Sequence, residues 1–250
     1  NTSSGQADGQ LWKIEDPAAN KAYVGDPTTA STAVTNGLYS DGRISKAYDT
    51  ADRRYTYSYT SVDGTNRLTE VKAETKTSGT WASPSGVAEV GKVEYAYYAS
   101  ADSNGDSGDL RTVKVTLPLS DSGVNEIRVQ YYRYWEGSYN ASTNPGYPYH
   151  LKLFLDWEGA RKYDYADATF DDDFLTETTD NLKPYAAAYF EYDSSYRISK
   201  AWFNGECGCS SGASNGTFEF EYENNASFSN TANVYDTGWC TRTVVERPDT

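Results

Sequence analysis

The side chains of this sequence that could do chemistry are few and scattered. Cys207, Cys209 and Cys240 form a C-x-C beside one distant cysteine, one ligand short of the four that a closed structural zinc site takes. In an oxidising compartment the same set reads as one disulfide from Cys240 to Cys207 or Cys209, with the third thiol free or joined to another chain. Closing that loop of about 30 residues would contribute roughly 3 kcal/mol on the chain-entropy account.

Asp102, Asn104 and Asp106 alternate, and Asp109 follows, which is how hard oxygen ligands are brought round a calcium ion by one tight turn. Ser107 stands where such a loop carries glycine and Val113 where it carries its last glutamate, so a polar hairpin tip is the other reading. The three aspartates at 171–173, ahead of Phe174 and Leu175, suit the start of a short helix or a solvated face better than a site.

Gly212, Ser214 and Gly216 spell G-x-S-x-G, but a nucleophile elbow needs a strand before it and a helix after it. Here the motif sits in a Ser/Gly loop ahead of a strand, and His150, the one histidine, has no further group beside it to suggest a triad. The 36 acids offer many carboxylate pairs for glycoside chemistry and single out none. Trp81, Trp135, Trp157, Trp202 and Trp239 could stack on sugars, although tryptophans on strands more often pack across the sheet. Glycosylation sequons begin at Asn1, Asn140, Asn215 and Asn225.

The elements that carry these residues are strands. Tyr55, Tyr57 and Tyr59 alternate with Thr56, Ser58 and Thr60, and Phe218, Phe220 and Tyr222 alternate with Glu219, Glu221 and Glu223; a period of two puts rings on one face and polar groups on the other. Further strands are expected at 67–75, 92–99, 110–117, 124–135, 149–155, 160–166, 189–192, 197–203, 232–237 and 240–246, with helix only within 170–188. Residues 1–41, rich in small polar residues, read as an irregular lead-in with one short strand. Many short strands with turn signals between them make an antiparallel all-β protein with little helix.

Composition narrows the function. A net charge of -14 across 250 residues excludes a phosphate-binding, nucleic-acid partner. There is no run of apolar residues long enough for a membrane span, and the first residues are neither basic nor apolar enough for a signal peptide. The absence of methionine, the 23 tyrosines and the many hydroxyl and amide side chains suit an exported protein, and the chain reads as a fragment or processed part of a longer one.

Arg43-Ile44-Ser45-Lys46-Ala47 recurs intact at residues 197–201, with weaker echoes at 66–71 and 108–113, so internal repetition organises the chain. The recurring G-R-[IL]-x-x-[AV] start, with aromatic and acidic partners such as Glu191-Tyr192-Asp193, resembles the YD-repeat, or RHS, family of bacterial surface proteins over about residues 40–250, with the β-repeat domain itself at 42–250. The resemblance implies a long antiparallel ribbon spiralling into a shell, an extracellular or cell-surface location, and self-association or contact with other surface components. Asp16-Pro17 and Asp26-Pro27 lack the glycine of that family's self-cleaving core, so self-cleavage does not carry over. The expectation is a non-enzymatic shell, adhesin or filament-forming subunit without cofactor, unless calcium fills the 102–109 loop. A carbohydrate-binding or carbohydrate-active β domain is the alternative, with glycans as ligand.

Overall fold

A computed structural model describes residues 13–15, 21–24, 37–49, 51–100, 102–118, 125–167, 173–203, 216–224 and 240–247. The chain is mostly antiparallel β-sheet, in two compact units: Asn1–Tyr97 with Thr112–Val129, and Tyr98–Arg111 with Gln130–Thr250.

In the first unit β1 (Lys13–Glu15), β2 (Lys21–Val24), β3 (Lys46–Asp49), β4 (Arg54–Val62) and β5 (Thr65–Thr75) lie side by side in chain order. β6 (Ser78–Thr80) and β7 (Ser83–Ser85) make a separate small hairpin, after which β8 (Ala88–Tyr97) returns to β5, and β9 (Leu110–Pro118) follows β8. β1 and β2 fall inside the expected lead-in, and β2 pairs with β3. The alternating tyrosines of β4 face small and branched residues across the ladder: Tyr55 opposite Ala73, Tyr57 opposite Val71, Tyr59 opposite Leu68. Asp63 and Gly64 both take positive φ between β4 and β5, the two-residue turn whose twist matches the strands and which Asp-Gly favours.

In the second unit the part of β10 (Asn125–Tyr134) from Gln130 onward pairs antiparallel with β11 (Leu151–Leu155), and the sheet continues through β12 (Ala188–Tyr192), β13 (Ile198–Phe203), β14 (Gly216–Asn224) and β15 (Thr241–Glu246). Between β11 and β12 the chain is helical: α1 (Trp157–Asp167), a 3-10 turn at Asp173–Leu175, α2 (Thr179–Leu182) and a second 3-10 turn at Lys183–Tyr185.

The short helices lie where the loss of alternation puts them, but α1 replaces the strand expected at 160–166. The Asp156 carboxylate accepts the Gly159 N–H at 2.7 Å and caps the helix. Ala160 and Tyr163 are buried while Arg161 and Lys162 are exposed, a spacing of three to four rather than two. Tyr131, Leu153 and Leu155 are fully buried against this layer, together with Phe174 and Leu182. Arg133, also fully buried, donates to the Tyr131 hydroxyl and Thr179 Oγ1, each at 3.0 Å, and to the carbonyls of Phe174 and Glu177. A buried guanidinium must have its donors satisfied, and here they tie the start of α2 to the sheet.

Candidate functional site

The residues of the recurring motif share one local construction. At residues 39–43, 49–53 and 193–197 the N–H of the first residue donates to the carbonyl of the fifth, and the N–H of the fourth donates back to the carbonyl of the first. The fourth residue is left-handed each time: Gly42 at φ 86°, Asp52 at 58° and Tyr196 at 65°. In two of the turns an aspartate and an arginine four residues on close the loop. Asp49 accepts the N–H groups of Ala51 and Arg53 and pairs with the Arg53 side chain at 2.7 Å. Asp193 accepts from Ser195 and Arg197 and pairs with the Arg197 side chain at 2.6 Å. Burial opposes ionisation of both, but these donors outweigh it and hold each carboxyl below the usual aspartate value.

After the turn comes a bulge. β5 pairs Glu70 with Ser58 and Leu68 with Tyr59, leaving Thr69 as the extra residue. β13 pairs Lys200 with Glu191 and Ile198 with Tyr192, leaving Ser199 extra. A bulge of one residue lets two apolar side chains three apart share a face, as it does for Leu68 with Val71 and Ile198 with Ala201. The carbonyl just before the extra residue accepts a tyrosine hydroxyl from the following strand: Tyr97 to Leu68 at 2.7 Å, Tyr222 to Ile198 at 2.9 Å. The preceding arginine lies over the same ring, Arg67 over Tyr97 at 5.5 Å and Arg197 over Tyr222 at 4.2 Å. Arg43 likewise lies over Tyr59 at 4.4 Å.

Two half-buried lysines of the second unit lie against aromatic rings. Lys183 Nζ stands 4.0 Å from the Tyr189 ring centre and 3.8 Å from that of Trp202, and Lys152 stands 4.3 Å from that of Trp135. Trp135 and Trp202 both meet Tyr189 edge-on, at 6.1 and 5.0 Å. Burial pushes both amines below the ordinary lysine value and lifts the Glu191 carboxyl above its own, with Glu191 and Lys183 each offsetting part of the other's shift. An amine nearer neutrality is a better nucleophile, but Lys183 is covered on two sides by rings, and the arrangement braces the sheet.

A second aromatic group lies where the 137–150 loop meets the turn after β12. Tyr139 stacks on Tyr147 at 4.9 Å and Tyr147 on Tyr196 at 4.0 Å, with His150 beside Tyr147, Tyr192 and Tyr196. The Tyr147 hydroxyl donates to the Asp193 carbonyl at 3.2 Å. Tyr149 and Tyr196 are the two most exposed of the large apolar residues described, at 67% and 63%, and both have positive φ.

Among the described residues, those singled out in the sequence do not converge. Asp102 pairs with Arg111 at 3.7 Å, Asp109 accepts the Asp106 N–H at 3.0 Å, and the Gly105 N–H donates to Glu136 at 2.6 Å. The loop so closed lays Gly105 on the ring of Tyr98, where a β-carbon would come within 2.4 Å. Among the described residues no group of three or more His, Cys, Asp or Glu is arranged to hold a metal. Cys240 is exposed and unbonded among the described residues; Cys207 and Cys209 lie outside them. So do Ser214, Asn1, Asn215, Asn225, Asp171, Asp172, Trp239 and the strand expected at 232–237. Asn140 is exposed, its side chain accepting the N–H groups of Ser142 and Thr143. His150 sits in the tyrosine group, with Nδ1 3.2 Å from the Pro148 carbonyl. Trp135 is buried, Trp202 half-buried and Trp157 exposed at the start of α1, so they form no shared platform.

Sequence reasoning passed over Lys152, Lys183, Tyr139, Tyr147 and Tyr196, which no spacing rule marks. The Asp-x-x-x-Arg spacing at 49/53 and 193/197 was a readable signal. No protein-family model matches the chain, and no curated protein has significant sequence similarity to it. No helix among the described residues is long and apolar enough to cross a membrane.

Proposed function

We propose that the chain is a non-enzymatic segment of a secreted or cell-surface structural protein of the YD-repeat type, acting as a shell, adhesin or filament-forming unit. The observations that carry this reading are the five-residue turn that leads into both copies of the motif, the bulge shared by 67–71 and 197–201, and the arginine-on-tyrosine contact at all three, in both units. Repetition of one hairpin device builds scaffold, and the polar groups of each copy are spent on that copy's own turn. Lys152 and Lys183 support the same reading, since they lie against rings. Sheet edges offer self-association by strand addition. The 102–109 segment is read as a hairpin tip closed by its own hydrogen bonds.

Two measurements test the proposal. Shaving intact source cells with a non-penetrating protease should remove the protein, and its survival there would place it inside the cell and overturn the surface assignment. Negative-stain electron microscopy of native material should show shells, fibres or elongated particles. Small discrete globules that turn over a glycan would give the carbohydrate-active alternative the better claim.

A further inference from the structure

We infer that Tyr147 and Tyr196 form a site of oxidative tyrosine coupling, a dityrosine staple between the 137–150 loop and the turn joining β12 to β13. The inference goes beyond the scaffold reading and does not depend on how the protein assembles.

Three observations lead to it. The rings stack with centres 4.0 Å apart and planes 27° from parallel, closer than any other pair of tyrosines whose rings meet among the described residues. Tyr196 occupies a left-handed position, φ 65°, where the equivalent turns carry Gly42 and Asp52. A bulky residue there is an outlier that the surroundings must sustain, and what it achieves is a ring laid on Tyr147. Finally, Tyr196 is 63% exposed, open to an oxidant, while Tyr147 is held in place by its bond to the Asp193 carbonyl. The composition agrees: with no methionine in 250 residues, there is no thioether to be oxidised first.

The chemistry balances with hydrogen peroxide and a haem peroxidase as oxidant. Each phenol gives up one electron and its hydroxyl proton, and the two phenoxyl radicals join through the ring carbons next to the oxygens. The hydrogens on the joined carbons then move to the oxygens and restore both phenols. The peroxide O–O bond breaks and takes up the two electrons and two protons as water. The protein is lighter by two hydrogens. The new bond ties two loops that already touch, at Tyr192 N–H to the Pro145 carbonyl as well as through Tyr147, so it limits the unfolded chain, and the stacked rings turn edge to edge as it forms.

The test treats the full chain, thiols alkylated beforehand and at dilute concentration, with peroxidase and stoichiometric peroxide. The expected product is monomeric, two hydrogens lighter, fluorescent as dityrosine, and yields on proteolysis one cross-linked peptide pair containing Tyr147 and Tyr196. Tyr196→Phe keeps a ring in the stack and should lose most of the intramolecular fluorescence, and coupling in urea should lose the preference for this pair. Coupling spread over exposed tyrosines such as Tyr39 and Tyr149, a Tyr139 to Tyr147 product alone, mainly interchain products, or an undiminished yield in Tyr196→Phe would each overturn the proposal.

Discussion

Arg43-Ile44-Ser45-Lys46-Ala47 and residues 197–201 are the same five residues, yet the turns that lead into them are finished differently. In the first, Gly42 takes the left-handed position, nothing lies within 4 Å of where its β-carbon would be, and Asp41 reaches Arg43 from two residues away. In the second, Tyr196 takes that position and Asp193 reaches Arg197 across the whole turn. The backbone hydrogen bonds are the same. The difference teaches that the turn holds with its aspartate in either place, while the left-handed residue is open to other uses. Glycine relieves strain there, and tyrosine spends it on a ring contact.

The comparison can be broken most severely at the glycine beneath the second turn's neighbourhood. A β-carbon on Gly146 would lie 2.0 Å from the indole of buried Trp135, so Gly146→Ala should destabilise the second unit by about 3 kcal/mol, the upper end of overpacking costs. Thermal unfolding reads this directly, and a stability within 0.5 kcal/mol of the parent protein, roughly the noise of a surface change, would show the contact to be yielding. Asp193→Ala removes a partly buried acceptor of charge-assisted bonds and should cost about 1.5–3 kcal/mol. The matching change at exposed Asp41 should cost distinctly less in the same assay.

Exchange of the two left-handed residues sharpens the contrast. Gly42→Tyr adds a side chain to a left-handed position with no partner ring and should lose about 1–2 kcal/mol. Tyr196→Gly removes a similar strain but forfeits a stacking contact of about 0.5–1.5 kcal/mol, so denaturant midpoints should move little. Acid titration adds a smaller effect of defined sign. Asp49 and Asp193 have folded pKa values below the ordinary one, so their contribution is complete above the ordinary carboxylate range. It fades as pH falls from that range through the lower folded values, and Asp193→Asn should flatten that limb of the stability curve. Least of all should come from calcium. Millimolar calcium should leave the melting temperature unchanged, whereas a site filled at about 100 times its Kd would add about 2.7 kcal/mol.

Period-two patterning made the all-β class and most of the strands legible, because alternation along a half-buried sheet is written residue by residue. It failed at α1, where Tyr163 and its neighbours look like a short strand and the deciding group is Asp156, a cap that lies before the pattern starts. The motif was visible as a repeat, but its bulge was not, since Thr69 and Ser199 are ordinary strand residues whose displacement appears only against Ser58–Tyr59 and Glu191–Tyr192. The lysines facing Trp135, Tyr189 and Trp202, and the Tyr139, Tyr147 and Tyr196 stack, depend on chain segments far apart in sequence. No local spacing could announce them. The calcium-like spacing at 102–109 was real as spacing, but Arg111 and Glu136 lie outside the window in which it was read.

The extra residue at Thr69 and at Ser199 also sets parity. Along an unbroken strand each side chain's face is decided by whether its position is odd or even, and one bulge inverts that assignment for everything on one side of it. Straightening the bulge with Ser199 retained would therefore exchange inside for outside along one arm of β13, setting Ile198 out of phase with Ala201 and Phe203, whereas deleting Ser199 would leave them in phase. Loops such as 137–150 can gain or lose residues singly, whereas the motif can lose one residue in phase only at the bulge itself.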